Sequence, residues 1–325
     1  MSDQPGSTPL VSVIVRCFNE AEHIGRLLTG IFHQSVEDLE VVVVDSGSTD
    51  GTVEIVNAFP TRLVRIEASE FSFGRSLNRG CAVARGDFLV FISAHCYPTY
   101  DDWLERITAP FEDPDVQVVY GKQRGNDMTK YSERRIFEQW FPDRSDPDQK
   151  HPFSNNANCA IRRARWVRHP YDEELTGLED LAWSKRVLED GGKIVYAADA
   201  EVIHVHDESP LRIYNRYRRE ALAFKKIMGS AAFGLRGFFA LTVASVWRDL
   251  RAAYGEGVLL RNLAGIFVFR LMQYWGAYRG FAMQGPIEQA LKRKLYYPQP
   301  PRDGQFERRA DGREIPYWDA EELPR

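Results

Sequence analysis

Apolar positions recur with two different periods over the first two hundred residues, and the two periods take turns along the chain. Short, almost continuous apolar runs are typical of parallel strands covered on both faces, whereas apolar positions three and four residues apart predict amphipathic helices. The runs predict strands at 10–16, 39–45, 63–67 and 87–93, and the longer period predicts helices at 20–32, 49–59 and 74–84. This alternation predicts an α/β fold in which helices flank an open, mostly parallel sheet.

Ionisable side chains follow several of these runs. An open parallel sheet binds its ligands beyond the carboxyl ends of its strands. Glu20, Asp45, His95 and His204 each follow an apolar run, so we expect them at one edge of the sheet.

The segment 45–52 follows four consecutive valines and reads Asp-Ser-Gly-Ser-Thr-Asp-Gly-Thr. A carboxylate at a strand end can accept hydrogen bonds from a nucleotide base or ribose, and Asp45 lies too early to be the cap of the next helix. Ser48 and Thr49 are better explained as caps. The alternative for the whole segment is a well-capped turn without a ligand.

Two arginines on a predicted helix are candidates for phosphate binding. Arg75 and Arg79 are spaced i, i+4 and therefore share one helix face, from which guanidinium groups can neutralise a diphosphate. The alternative is that both are solvated surface residues.

Histidines occur at two separate strand ends. His95 ends the segment Ser93-Ala94-His95, and His204 and His206 close a later apolar run. A lone histidine at such a place is usually structural, but the second segment favours a metal site, because neutral imidazole binds divalent ions such as manganese and zinc. Side chains alternate along a strand, so we expect only one of His204 and His206 to face His95, and we favour His204.

An acidic pair, Glu179-Asp180, opens a predicted helix and precedes the strand that leads to His204. Carboxylates in a first helical turn also stabilise the helix dipole, which is the alternative to a catalytic role.

Together, 18–20, 41–52 and 177–206 resemble the family 2 glycosyltransferases, which have the Rossmann-like GT-A fold. The resemblance implies that Glu20 and Asp45 bind the nucleotide of a sugar donor. It implies a divalent metal, Mn2+ or Mg2+, on the diphosphate. The family's usual Asp-x-Asp motif corresponds here to Ser93-Ala94-His95. This departure is similar to the Asp-x-His of polypeptide N-acetylgalactosaminyltransferases. We assign Ser93 to the nucleotide site.

The same resemblance assigns the chemistry. Asp180 would be the base of an inverting transfer, and Glu179 would bind the acceptor or hold the loop. Asn156 and Asn158 would contact sugar, and His95 would bind the metal with His204 or His206. The implied donor is a nucleotide-diphosphate sugar, and the implied acceptor is a glycan or a lipid-linked molecule in bacterial polysaccharide or cell-surface glycan assembly.

Composition changes after residue 207, which divides the chain into a transferase domain (1–207), a helical region (208–295) and a Pro-rich charged tail (296–325). Residues 208–294 contain fifteen basic and five acidic residues. This balance suits either an anionic membrane surface or packing on the domain or on another subunit in a homo-oligomer. The apolar runs are interrupted by arginine, so a spanning helix is not expected.

The remaining composition limits partners and location. A net charge of −4 and the lack of basic runs interleaved with aromatics exclude nucleic acid as an expected partner. The N-terminal residues do not have the pattern of a secretory signal, which predicts a cytoplasmic protein and leaves open a peripheral position at the inner face of the membrane.

Two other functions are weighed against the transferase. A sugar nucleotidyltransferase should carry a Gly-rich basic loop after its first strand, and residues 16–20 contain no glycine. A catalytically degenerate, nucleotide-binding scaffold at the membrane is motivated by Ser93 in place of aspartate, but the intact Glu179-Asp180 pair argues against it.

Overall fold

The computed structural model describes residues 10–229 and 231–283, together with residues 313, 315 and 317. The strands are β1 (Val11–Cys17), β2 (Leu39–Asp45), β3 (Arg62–Arg65), β4 (Phe88–Ser93), β5 (Cys96–Pro98), β6 (Val116–Arg124), β7 (Asp146–Gln149), β8 (Asn158–Arg162) and β9 (Lys193–His204). The helices are α1 (Ile24–Phe32), α2 (Thr52–Val56), α3 (Phe73–Val83), α4 (Trp103–Thr108), α5 (Tyr131–Trp140), α6 (Arg163–Arg168), α7 (Glu179–Glu189), α8 (Pro210–Met228), α9 (Leu235–Gly255) and α10 (Leu259–Ala282). Short 3-10 turns lie at Ala68–Glu70 and Ala109–Glu112.

The described strands form one mixed sheet in the order β3-β2-β1-β4-β8-β6-β9-β5, with β7 also paired to β9. The first four strands in this order are parallel, as predicted. Strand β8 then runs antiparallel to both β4 and β6, and β9 runs parallel to β6. The predicted α/β fold is confirmed, and the antiparallel strand β8 was not anticipated.

Helices cover both faces of the parallel half of the sheet. On one face Val13 and Val15 pack against α1, and on the other Ile14 packs with Val44 against α3. A side chain at Gly80 of α3 would place its Cβ only 2.6 Å from Ile14 Cγ2, so glycine allows this helix to lie close to the sheet. Full burial of each aliphatic side chain contributes roughly 1.5–3 kcal/mol, which explains why the valine run forms a central strand.

The helical region consists of α8, α9 and α10, and its described part packs against α5. Close helix contact depends on Gly276, where a Cβ would lie 2.4 Å from the carbonyl oxygen of Tyr214 on α8. Tyr131 of α5 packs with apolar side chains of α9 and α10. None of the helices in the described segments is long and apolar enough to cross a membrane. The proposed division at residue 207 stays a prediction.

Most of the predicted tail, 296–325, lies outside the described residues. Of the three described positions there, Tyr317 donates a hydrogen bond of 2.8 Å to the carbonyl oxygen of Pro98, and the carbonyl of Arg313 accepts one from the backbone N–H of Asp101.

Candidate active site

The loops after β1 and β2 are tied together at the carboxyl edge of the sheet. The backbone N–H of Asn19 donates to Ser48 Oγ, and Asn19 Oδ1 accepts from the N–H of Thr49, both at 2.8 Å. The N–H of Glu20 donates to Thr52 Oγ1 at 2.8 Å. Asn19 has a φ of 54°, a left-handed conformation that asparagine tolerates better than most residues. These bonds fix Glu20 beside the loop that follows Asp45.

A cleft of about 360 Å³ opens beside this loop. Asp45 lines it at the end of β2, and its carboxylate accepts hydrogen bonds from the backbone N–H groups of Gly47 and Ser48 at 3.1 Å. Gly47 has a φ of 89°, so the turn that wraps Asp45 favours glycine. Arg65, the last residue of β3, and Glu67, two residues later, also line the cleft. The volume lies at the lower end of the range of small-molecule sites.

His95, His204 and His206 come together in one cluster, with ligand atoms that all lie within 4.8 Å of one another. The rings of His95 and His204 stack with centroids 5.1 Å apart. The expectation that only one of His204 and His206 would face His95 is wrong. Strand β9 ends at His204, so the strand alternation does not extend to His206.

The hydrogen bonds of this cluster fit a metal site. His95 Nδ1 lies 2.8 Å from Glu20 Oε1, His204 Nδ1 lies 2.7 Å from Gln123 Oε1, and His206 Nδ1 lies 2.7 Å from Glu133 Oε1. An oxygen acceptor on Nδ1 leaves the Nε2 lone pair for a cation, which is the usual arrangement around metal-binding histidines. The residues present therefore fit a divalent ion.

The surroundings of the cluster keep His204 neutral and Glu133 ionised. Burial, and then the neighbouring imidazoles of His206 and His95, lower the pKa of His204 well below its usual value, so it is neutral near pH 7. Burial alone would raise the pKa of Glu133, but Arg216 and His206 outweigh it and lower this pKa to about 2. Glu133 is therefore an ionised partner for His206.

The acidic pair occupies the start of α7. Leu178, with a φ of 56°, turns the chain so that Glu179 is buried, where its Oε1 accepts from Arg16 Nη1 at 3.2 Å. Asp180 Oδ2 accepts from the backbone N–H of Asn156 at 3.1 Å. Burial, and then the adjacent Glu179, raise the pKa of Asp180 to about 7. A carboxylate with this pKa can exchange a proton near neutrality.

The amino-acid sequence matches the family described as glycosyl transferase family 2 over residues 12–176. The chain is a family 2 glycosyltransferase. Its α/β sheet, with added helices after β9, is the GT-A fold that the sequence motifs indicated.

Relatives of this glycosyltransferase are only moderately similar. The O-antigen chain rhamnosyltransferase WbaN of Salmonella anatum is 28% identical over 195 residues, which cover 57% of this chain and 62% of that protein. The glycosyltransferase AglE of Haloferax volcanii is 29% identical over 215 residues, covering 62% of this chain and 68% of AglE. The matched segment thus spans less than two thirds of WbaN.

Solved structures of similar fold include the mannosyltransferase PcManGT from Pyrobaculum calidifontis in complex with GDP-Man and Mn2+. Its TM-score is 0.57 at 21% sequence identity, and the match covers 90% of this chain and 88% of PcManGT. TarS 1-349 of S. aureus in complex with UDP has a TM-score of 0.52 at 18% sequence identity, and the match covers 83% of this chain and 91% of that TarS chain. At these identities the likeness concerns the fold.

The other predicted site residues of the glycosyltransferase lie in different surroundings. Arg75 Nε bonds Glu173 Oε2 at 2.8 Å, Arg79 is exposed, and neither is among the described residues that line the cleft at Asp45. Ser93 ends β4 and is partly buried. Asn158 is fully buried, and its amide accepts from Trp103 and donates to the carbonyls of Lys122 and Ala200. This geometry does not support a sugar contact by Asn158.

Four residues that the motifs did not indicate contribute to the site: Arg16, Gln123, Glu133 and Arg216. Arg16 directly follows the apolar part of β1, so its position at a strand end could have indicated it as a site residue. Glu133 is one of several charged residues on an amphipathic helix, and nothing in its spacing distinguishes it.

Proposed function

We propose that this glycosyltransferase transfers a sugar, with inversion, from a nucleotide-diphosphate donor to a glycan or lipid-linked acceptor in bacterial polysaccharide or cell-surface glycan assembly. The observation that carries the proposal is the common edge on which the Asp45 cleft, the histidine cluster and Asp180 lie. The names of WbaN and AglE support the reaction class, and PcManGT and TarS, solved with GDP-Man and UDP, support a nucleotide-sugar donor.

The donor would lie between the cleft and the histidines. Asp45, with Glu20 beside it, would contact the nucleotide, and Ser93 would lie near the diphosphate. Of the two arginines, Arg79 is the proposed diphosphate contact, because Arg75 is engaged by Glu173. His95, His204 and His206 would hold a divalent cation, which when bound supplies positive charge to the leaving diphosphate.

The acceptor side belongs to α7. Asp180 would take the proton of the acceptor hydroxyl while that oxygen forms a bond to the anomeric carbon and the bond to the diphosphate oxygen breaks. Glu179 and Asn156 hold the loop, since Asn156 Nδ2 donates to Glu179 Oε1 at 3.3 Å and its N–H bonds Asp180. Arg16 balances the charge of Glu179.

Replacement of Asp45 tests the donor site. Asp45→Asn keeps an oxygen for the turn but removes the charge, and a hydrogen bond to a charged group contributes about 1.5–3 kcal/mol. We therefore expect the affinity for the cognate nucleotide to fall about 10- to 100-fold in calorimetric titrations with UDP, GDP and dTDP. The exposed Asp148→Asn serves as the control. Unchanged binding in Asp45→Asn would contradict the assignment, and binding without sugar transfer to any acceptor would favour the scaffold alternative.

We also propose that α9 and α10 lie on an anionic membrane surface. Leu235, Phe239, Val243 and Trp247 are exposed at intervals of four residues and form one apolar stripe on α9. Residues 231–283 contain six arginines and two acids, Asp249 and Glu256. Asp249 is buried and Glu256 pairs with Arg135 at 3.8 Å. An apolar stripe with a positive surround is typical of interfacial helices.

The stripe makes a specific prediction for vesicle binding. Trp247 is 68% exposed, and its burial in lipid contributes enough for Trp247→Ser to weaken flotation with phosphatidylglycerol vesicles by roughly tenfold. Trp140→Ser on α5, where the side chain is 45% exposed, is the matched control. Equal flotation of both variants would contradict the proposal. Loss of a dimer in sedimentation of Trp247→Ser would indicate a homo-oligomer contact instead.

A further inference from the structure

The three histidines of the cluster share one feature. Each Nδ1 atom faces a side-chain oxygen: Glu20 for His95, Gln123 for His204 and Glu133 for His206, at 2.8, 2.7 and 2.7 Å. These oxygens come from three different elements, the loop after β1, strand β6 and helix α5. Such partners fix the ring orientation and direct each Nε2 lone pair away from the partner. The ligand atoms of the three histidines lie within 4.8 Å of one another, which defines a common centre.

The spacing of two Nε2 atoms indicates what the centre can hold. His204 Nε2 and His206 Nε2 are 2.8 Å apart. Without a cation this contact requires a proton on one of the two atoms. Two imidazole ligands of one tetrahedral zinc ion, each at ~2.0–2.1 Å, lie about 3.3 Å apart, so a single ion could replace that proton if the two rings move apart by about half an ångström.

A neighbouring group rich in oxygen ligands is less suited to a cation. Glu133, His206 and Glu208 also lie within ligand distance of one another. Arg216 Nη2, however, lies 2.5 Å from Glu133 Oε1 and 2.6 Å from Glu208 Oε2. The guanidinium already supplies the positive charge there, and a cation beside it would be repelled.

We propose that His95, His204 and His206 bind one ion together through three Nε2 atoms, and that this set selects a zinc-class ion over Mn2+ and Mg2+. The inference rests on the proposed function, whose metal site it specifies. Imidazole suits Zn2+, Fe2+ and Ni2+, whereas Mg2+ and Mn2+ prefer oxygen ligands. Of the neighbouring carboxylates, Glu20 and Glu133 each face an Nδ1 atom, and Glu208 pairs with Arg216. Three histidines with a fourth position left for a ligand oxygen is a pattern of catalytic zinc sites.

Cobalt absorption tests whether all three imidazoles bind together. Titration of the full-length protein with Co2+ should give the strong visible absorption of a four- or five-coordinate ion, and Zn2+ should abolish it. His95→Ala, His204→Ala and His206→Ala should each remove the absorption, whereas the exposed His151→Ala should not. The weak spectrum of a six-coordinate ion, or an unchanged spectrum in any of the three variants, would overturn the proposal.

Calorimetry with Zn2+, Mn2+ and Mg2+ alone tests the selectivity. Any nitrogen site prefers Zn2+ to Mn2+ to some extent, so the informative quantity is the change in the ratio of the two affinities. His206→Asp exchanges a nitrogen for an oxygen ligand, and we expect the ratio to fall by about tenfold or more. An equal ratio in wild type and variant would overturn the selectivity. Sugar transfer is assayed separately, because a zinc-binding protein without transfer would refute the proposed function and leave this inference standing.

Discussion

Asp180→Asn should lower kcat by about 10²- to 10⁴-fold, the range that a positioned general base contributes, while the donor nucleotide still binds. Asparagine keeps the oxygen that accepts from the N–H of Asn156 but cannot take a proton from the acceptor. The measurement is sugar release from the donor in the presence of acceptor, with nucleotide affinity determined in parallel. Glu174→Gln, an exposed residue in the loop before α7, is the control and should retain full activity.

The pH dependence gives the same prediction a second readout. The pKa of Asp180 is raised to about 7, and the base acts only when ionised. The rate should therefore fall about tenfold per pH unit as the pH decreases below 7 and be level above it. Asp180→Asn should lack this acid limb. If the variant kept most of the wild-type rate, or the same acid limb, Asp180 would not be the base.

The parallel half of the fold was readable from the sequence because burial on both faces imposes continuous apolar runs. Residues 41–44 are four valines and lie fully inside β2. Strand β8 was less readable, since its direction depends on long-range pairing with β4 and β6 and not on its own composition.

The site shows the same division between local and long-range information. His95 and His204 could be predicted as site residues because they follow apolar runs, and Asp180 could be predicted because it lies in the first turn of α7. Glu133 enters the site because α5 packs across the end of β9, where it meets His206. Asn158 was expected to contact sugar. In the structure its polar side chain makes hydrogen bonds within the core, a role that a sequence cannot distinguish from ligand binding.

The second large effect concerns stability and lies in the helical region. Arg270 of α10 and Asp249 of α9 form a two-bond ion pair, with Nε–Oδ2 at 2.7 Å and Nη2–Oδ1 at 3.0 Å. Arg270 is 1% exposed and Asp249 is 0% exposed. Asp249→Ala leaves the guanidinium buried without its counter-charge, which costs about 3–5 kcal/mol. We expect a clearly lower midpoint of urea unfolding.

Two further variants separate the charge from the packing. Asp249→Leu combined with Arg270→Met removes both charges, and such replacements of a buried pair are often neutral, so its stability should lie much closer to wild type than that of Asp249→Ala. Arg279→Met, an exposed arginine on the same helix, should change stability by less than about 0.5 kcal/mol. A double variant as unstable as Asp249→Ala would mean that packing volume, and not the unpaired charge, causes the loss.

The ion pair also connects this region to the histidines. Arg270 Nη2 donates to the carbonyl of Ser132 at 3.3 Å, and the next residue, Glu133, holds His206. Tyr131 packs on the same helices. Loss of Asp249 should therefore loosen the first turn of α5 and weaken metal binding at temperatures where the protein is still folded. If Asp249→Ala lowered stability but left Zn2+ affinity unchanged, the helical region would stabilise the chain without supporting the site.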